Sequence, residues 1–225
     1  MPARAPVYKA PAAVVAYNWS GFYVGGNAGA AFQRNCWFFS NAAGSAGDEG
    51  CHSNTAVVAG GQVGANWQTG NIVLGLEASG DWANLKGSNV SLFDPTFTNR
   101  TKTDAIGLFT GRVGVAWNNA LAYVKGGAAV THNKYTAFVT AIPALSGEVT
   151  DTRWGWTVGG GFEYGFAPNW SAAVEYDYID TGSKNEDFFA VSAPCGGVPC
   201  TDRISQRIHM ATLRVNYRFA PWLWR

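Results

Sequence analysis

Several stretches of this chain alternate between apolar and polar residues, which is the two-residue period of a β-strand. In TLRVNYRF, residues 212–219, one face is apolar and the other carries Thr, Arg and Asn. The same period predicts eight strands, at about residues 18–32, 55–67, 71–83, 104–117, 120–131, 150–166, 169–180 and 204–219.

Short and long connections alternate between these strands. Three connections are tight turns with suitable residues, at QTG, NN and APN. The other four, near 33–54, 84–103, 132–149 and 181–203, are long and polar. In an up-and-down meander all tight turns then lie at one end, as in outer-membrane barrels with short periplasmic turns and long extracellular loops.

The apolar faces carry more large aromatic residues than the interior of an eight-stranded barrel can hold, whereas the polar faces are rich in Gly, Ser and Thr. We therefore predict that the apolar faces meet lipid and the polar faces line the lumen. A secreted lipocalin-like barrel, with the faces reversed, is the alternative. Aromatic residues also gather near both strand ends, as in interfacial girdles: Trp67, Trp117, Phe166, Trp170 and Tyr217 beside the turns, and Phe32, Trp82, Trp154 and Tyr178 nearer the loops.

Composition supports a membrane barrel. The 225 residues include 28 Gly, 10 Trp, 13 Phe and 9 Tyr, and only 14% are charged. No apolar run reaches the roughly 18 residues that a membrane-spanning helix needs, so crossing a membrane would require a closed barrel. The formal net charge of +1 excludes a strongly basic nucleic-acid-binding surface.

The four cysteines indicate an oxidising compartment. Cys36 and Cys51 form one close pair, and Cys195 and Cys200 form another. Three pairings are possible, and local closure, with one disulfide fastening each of two external loops, is the simplest. Zinc binding is the alternative, but CGGVPC is wider than a C-x2-C clip and only His52 lies near the first pair.

Four segments resemble the alphaproteobacterial outer-membrane immunogenic proteins, a porin-related family of small outer-membrane β-barrels. They are YNWSGFYVGGNAGAAF, FTGRVGVAWNNALAYVKGG, GWTVGGGFEYGFAPNWSAAVEYDYID and LRVNYRF. The resemblance implies an all-β, eight-stranded antiparallel transmembrane barrel related in architecture to the membrane domain of outer-membrane protein A. It also implies an abundant surface antigen with structural and host-interaction roles; some members are described as hemin-binding and some as tethered to peptidoglycan.

The family's final strand acts as an assembly signal, which the resemblance assigns here to Leu213, Val215, Tyr217 and Phe219. The family usually ends at the last aromatic residue, whereas this chain continues as APWLWR. The predicted parts are a proline-rich periplasmic segment at 1–17, the barrel at 18–219 and a short periplasmic extension at 220–225. Because MPARAPVYKAPAAVVAY lacks the apolar core of a secretory signal, we expect a mature or recombinant start; a cytoplasmic protein with a proline-rich tail is the alternative.

The expected location is the outer membrane of a Gram-negative cell, reached through the periplasm. The expected partners are outer-membrane lipid and lipopolysaccharide, together with peptidoglycan or a periplasmic or membrane partner that binds the termini. No nucleic acid and no cofactor is expected.

Ten charged residues, five of each sign, lie on the predicted lumen faces: Glu77, Asp81, Arg112, Lys125, Arg153, Glu163, Glu175, Asp177, Arg214 and Arg218. Equal numbers favour a paired network over a charge-selective pore, and eight strands enclose a space about wide enough for side chains alone. The expected function is therefore structural and surface-exposed, with the lumen plugged by paired charges and with no catalytic or metal-binding residues.

Three other functions remain as alternatives. A small porin or passive diffusion channel would use the same charges to line a water path. A hemin or ligand receptor could use His52 and His132, which lie in predicted external loops and offer imidazole, the usual axial ligand of haem iron. An enzyme is disfavoured because the alternation brings no Ser, His and Asp together; Asp104 and Asp151 are interpreted as loop solubilisers.

Overall fold

The structure, a computed structural model, describes residues 17–41, 46–188 and 200–219. Within these ranges eight antiparallel strands form one closed barrel in sequence order. The strands are β1 (Gly21–Asn41), β2 (Ala46–Thr69), β3 (Ile72–Val90), β4 (Phe97–Trp117), β5 (Ala120–Val139), β6 (Ile142–Ala167), β7 (Trp170–Phe188) and β8 (Cys200–Arg218). The predicted all-β up-and-down barrel is confirmed.

The barrel closes where the first strand pairs with the last. The register between β1 and β8 runs from Tyr23 opposite Arg218 to Asn41 opposite Cys200, so neither strand is left as an open edge. Closure satisfies the backbone polar groups of every strand, which lipid cannot do.

The described residues contain no helix that is both long and apolar enough to cross a membrane.

The strands extend further toward the extracellular end than the alternation predicts. They contain 19 to 26 residues each, whereas about 9 to 11 suffice to cross a bilayer. Much of each predicted long extracellular connection is therefore strand, and β5 and β6 are separated only by residues 140–141. The alternation misses these extensions because, beyond the bilayer, both faces of the sheet carry polar residues and no apolar stripe marks the strand.

The apolar faces point away from the lumen. Trp154 and Phe166 lie 12 residues apart on the outer face of β6, and both are more than half exposed. At about 3.3 Å per residue and a tilt of about 40°, they span about 30 Å, enough to flank an apolar band about 25 Å tall. Trp67 and Trp117 near the short turns, and Trp82 near the other end, are also exposed.

One disulfide joins Cys36 of β1 to Cys51 of β2. The two residues are direct cross-strand partners. The bond therefore clamps the extracellular extension of a hairpin, instead of fastening a loop as predicted. Cys195 lies outside the described residues, and so does the side chain of Cys200, so that pairing stays a prediction, as do the terminal segments 1–16 and 220–225.

Because the apolar face of β5 points toward lipid, the effect of a new charge on this face should depend on its position along the strand. Val124 is 61% exposed on the apolar face, and its Arg variant would place a guanidinium in the hydrocarbon at a cost of roughly 2 to 4 kcal/mol. Thr136 lies on the same face 12 residues toward the extracellular end, between Glu148 of β6 and Arg100 of β4, whose opposite effects on a new guanidinium offset each other. Thr136→Arg is therefore expected to leave stability nearly unchanged. Urea unfolding in lipid vesicles measures both, and equal losses would show that the lipid-facing band is misplaced.

Candidate functional site

The lumen is filled in layers, and the inward residues of β8 mark each layer in turn. From the periplasmic end they are Arg218, Asn216, Arg214, Thr212, Met210, Ile208, Gln206, Ile204 and Asp202, all buried. Because side chains alternate between the two faces, every second residue of the strand points inward. Charged, apolar, amide and acidic layers therefore follow one another along the barrel axis.

A charge network fills the lumen at the level of the membrane. The structure places all ten predicted lumen charges in buried positions, and eight of them are linked by ion pairs of 4.0 Å or less. These eight are Arg112, Lys125, Arg214, Arg218, Glu77, Glu163, Glu175 and Asp177. Arg214 Nη1 contacts Glu77 Oε1 at 2.9 Å and Glu175 Oε2 at 2.5 Å. Four cations and four carboxylates give the network a formal charge of zero.

Two tyrosines that the sequence reasoning did not assign complete the network. Tyr23 donates to Glu77 Oε2, and Tyr123 donates to Glu175 Oε2, both at 2.6 Å. The guanidinium of Arg112 lies between their rings, 4.8 Å from one centroid and 5.0 Å from the other. Each phenol thus serves both as a hydrogen-bond donor and as a cation–π partner. The sequence feature that could have indicated this role is the position of Tyr23, an aromatic residue on the otherwise small and polar face of β1.

Glycines on the lumen face make room for these large side chains. A Cβ at Gly64 would collide with the ring of Tyr23, and a Cβ at Gly161 would meet the Tyr123 hydroxyl at 2.6 Å. The glycine-rich polar faces of the sequence therefore match a lumen packed with aromatic and charged groups.

Arg112 and Glu163 are in contact, with Nη1 3.4 Å from Oε2. Glu163 also accepts from Ser171 at 2.5 Å and from Asn216 at 3.0 Å. Arg218 approaches the same carboxylate at 3.7 Å. Glu163 therefore has donors from three other strands.

Two of the ten predicted residues lie outside the network. Asp81 is buried without an ion-pair partner among the described residues. Arg153 lies nearer the extracellular end, where Nη2 contacts Glu186 at 3.3 Å and Nη1 donates to the Ile204 carbonyl at 2.8 Å. Asp151, interpreted from the sequence as a loop solubiliser, lies on β6 and is 3.6 Å from Arg153 Nε.

An aromatic cap lies at the periplasmic mouth. Trp19 is fully buried and Tyr17 nearly so, although both precede the first strand. The guanidinium of Arg218 lies 4.8 Å from the Trp19 ring and 5.0 Å from the Tyr17 ring. Gln68 Oε1 accepts from the Trp19 backbone N–H at 2.8 Å. The predicted boundary between the periplasmic segment and the barrel, after residue 17, thus falls between two residues that pack into the barrel.

Above the charges lies an apolar layer. Its larger members come from four strands and are 3% exposed or less: Leu85, Ile106, Leu108, Ile179, Ile208 and Met210. They share the inward face with the charges, and the sequence-based prediction did not assign them to the lumen. The next layer is polar, where Gln206 Nε2 donates to Asn133 Oδ1 at 2.9 Å and Thr103 accepts from Gln33 at 2.9 Å.

Glu49 and Asp202 lie inside the extracellular end, in addition to Glu186. Glu49 accepts from Asn99 at 2.7 Å and from Ser91 at 3.1 Å, and burial raises its pKa. Burial, and then the nearby charge of Glu49, raises the pKa of Asp202 to about 8. Asp202 Oδ1 has no hydrogen-bond partner among the described residues.

The two histidines considered for haem point to opposite faces of the sheet. His52 is buried, with Nδ1 2.8 Å from the Asn89 side chain, and burial lowers its pKa. His132 lies on the outer face of β5, 3.3 Å from Thr152 Oγ1.

A family model described as outer membrane protein beta-barrel domain matches residues 5–219. The chain belongs to this outer-membrane barrel family. It is 32% identical over 190 residues to the 31 kDa outer-membrane immunogenic protein of Brucella melitensis, covering 80% of this chain and 78% of that protein. It is also 32% identical over 172 residues to the 22 kDa outer membrane protein of Rhizobium leguminosarum, covering 76% and 68%.

Among solved structures, the outer membrane protein OprG of Pseudomonas aeruginosa superimposes with a TM-score of 0.58 over 90% of this chain and 99% of that chain, at 13% identity. This similarity concerns the fold alone. The predicted family and outer-membrane location are confirmed by the family match and the relatives.

The residues assigned to the assembly signal of this barrel family follow the outer face of β8 to its end. Leu213, Val215 and Phe219 are exposed, and Tyr217 packs edge-on against Trp170. The backbone N–H of Phe219 donates to the Phe22 carbonyl at 2.9 Å, which extends the closing seam beyond β8.

The charge network predicts a large cost for removing Arg214. Arg214→Ala leaves Glu77 and Glu175 without one cation, and an uncompensated buried charge costs roughly 3 to 5 kcal/mol. Arg207→Ala on the same strand removes an exposed arginine paired with Asp180, and a surface pair is worth about 1 kcal/mol or less. Unfolding midpoints in detergent compare the two variants, and equal losses would argue against the network.

The acids at the extracellular end predict a pH dependence. Because the pKa of Asp202 is raised on folding, the folded state binds more protons, and this carboxyl lowers stability as pH rises from about 4 to about 8. Asp202→Asn should therefore leave stability unchanged near pH 4 and raise it above pH 8. Asp104→Asn, at an exposed carboxylate, is the control. Urea titrations across this range measure both, and a pH-independent effect of Asp202→Asn would contradict the prediction.

Proposed function

We propose that this barrel serves as a closed, surface-exposed structural protein of the outer membrane, without catalysis and without a continuous water path. The apolar layer is the observation that carries the proposal. Its inward side chains come from opposite sides of the barrel, for example Leu85 of β3 and Ile179 of β7, and are fully buried. A water column through this layer would have to displace close-packed aliphatic groups.

The neighbouring layers support the same conclusion. A conducting pore keeps charges hydrated, but the cations and carboxylates of the charge network are buried against each other, as in Lys125 Nζ at 2.6 Å from Glu175. The aromatic cap formed by Tyr17, Trp19 and Arg218 adds a third obstruction at the periplasmic mouth. These three layers favour a closed barrel over the small porin.

The extracellular half supports a surface role. All described strands continue beyond the apolar band, and the Cys36–Cys51 disulfide holds the β1–β2 extension together. The Brucella relative is named as immunogenic, which fits a protein that presents rigid β-structure at the cell surface.

The histidine environments support a non-enzymatic role. The Nδ1 atoms of the three histidines hydrogen-bond to neutral side chains: His52 to Asn89, His132 to Thr152 and His209 to Tyr176. None of these three bonds is to a carboxylate that could orient a catalytic imidazole. His52 and His132 point to opposite faces of the sheet, so they do not form one site for the iron of hemin, which disfavours the hemin-receptor alternative.

Planar-bilayer recordings test the closed barrel. The protein is added from vesicles, and the folded fraction is quantified as the protein that stays folded in unheated detergent. Wild-type protein should give no large, long-lived conductance steps. The Arg214→Ala variant should remain silent, because the apolar layer and the aromatic cap are intact. Steady wild-type steps whose charge preference changes in Arg214→Ala would overturn the proposal and establish the channel.

A further inference from the structure

A groove of about 460 Å³ runs over the outer face of β3, β4 and β5 at the level of the extracellular aromatic residues. Its outward lining includes Gly80, Trp82, Ala105, Gly107, Val130 and His132. Gly80 and Gly107 are cross-strand partners, so this part of the lipid-facing surface lacks the side chains that cover the sheet elsewhere. Trp82, which is 77% exposed, forms one wall.

A second hollow of about 430 Å³ lies on β3 and β4, on the periplasmic side of this groove. It is lined by Leu76, Ala78, Phe109 and Gly111 on the outer face. The Ala78–Phe109 pair is the next outward row below Gly80 and Gly107. Together the two hollows form a furrow that descends from the extracellular interface into the apolar band.

A row of three lysines lies immediately above the furrow. Lys86 of β3 is opposite Lys102 of β4, which is opposite Lys134 of β5. Lys134 is the next outward residue after His132, about 7 Å along the strand from the groove. Like charges directly opposite each other destabilise a sheet unless something neutralises them.

The protein neutralises this lysine row only in part. Lys102 pairs with Asp104, and Lys134 contacts Glu148 at 2.7 Å. Lys86 has no ion-pair partner among the described residues. Arg100, one outward row further up, packs over the Phe138 ring at 5.0 Å. Four cations and two carboxylates leave an excess of two positive charges above the furrow.

We propose that the furrow and the lysine row bind one molecule of lipid A, the phosphorylated glycolipid anchor of lipopolysaccharide. Its phosphate groups contact Lys86, Lys102 and Lys134, and one of its acyl chains fills the groove over Gly80 and Gly107. The occupant must have anionic groups at the extracellular interface and a hydrocarbon chain below them. In an outer membrane, lipid A meets this requirement, because the furrow opens toward the outer leaflet.

The barrel contains a second basic surface away from the furrow. Arg34 of β1 and Arg207 of β8 are cross-strand partners just above Phe32 and His209, and Arg203 lies on the same outer face of β8. These three arginines are exposed near the same membrane interface, and one of them, Arg207, pairs with Asp180. They serve as the control for nonspecific attraction to anionic lipid.

Native mass spectrometry of the detergent-purified barrel, titrated with diphosphoryl lipid A, tests the site. Wild type should retain one lipid A per barrel. The triple variant Lys86→Gln, Lys102→Gln, Lys134→Gln should bind roughly 100-fold more weakly, since each lysine near an anionic surface contributes roughly a fivefold factor. The triple variant Arg34→Gln, Arg203→Gln, Arg207→Gln should bind like wild type.

The groove is tested separately with Gly80→Leu. A Cβ at Gly80 meets nothing within 4 Å, so the new side chain fills the groove without disturbing the sheet. It should displace lipid A, whereas Gly26→Leu, on the outer face of β1 with its nearest atom at 3.8 Å, should not. Circular dichroism verifies that every variant is folded.

Three results would overturn the proposal: equal weakening by the lysine and arginine triple variants, unchanged binding in Gly80→Leu, or displacement of lipid A by an equal amount of phosphatidylglycerol. The first would indicate general attraction to anionic lipid, the second binding outside the groove, and the third a site without preference for lipid A.

Discussion

Hydrogen bonding between β1 and β8 is the constraint on which the rest of this structure depends. The apolar band of the membrane offers no water to an unpaired N–H or carbonyl group, so the sheet must close on itself. Closure with eight strands gives every strand one face toward lipid and one toward a lumen of limited width. The aromatic exterior and the crowded polar interior are consequences of that division.

A lumen of limited width must be filled by the side chains that point into it. Charges that enter it leave bulk water, so each needs an opposite charge or a hydrogen-bond donor within reach. The charge network meets this requirement with equal numbers of cations and carboxylates and with the hydroxyls of Tyr23 and Tyr123. Where no charge is present, aliphatic side chains such as Ile106 and Ile208 pack together instead.

The extracellular half follows different rules because both faces of its sheet are outside the hydrocarbon. Its outer face carries Lys86, Lys102 and Lys134, and its inner face carries buried amides and acids such as Glu49 and Asp202. We therefore expect other molecules to bind on the outer surface at the membrane interface. The buried side chains of the interior contribute to stability instead. The proposed lipid A site and the proposed closed lumen are two consequences of this arrangement.

The sequence alone determined the number of strands, the lipid-facing and inward faces of their alternating segments and ten inward charged positions, because a period of two is a local property. It could not determine which charges meet. Arg112 reaches Glu163 across an intervening strand, and Arg214 contacts Glu77 from β3. Such contacts depend on the stagger of the strands around the barrel, which no single segment encodes. The same stagger, acting across β3, β4 and β5, aligned three separate lysines in one row.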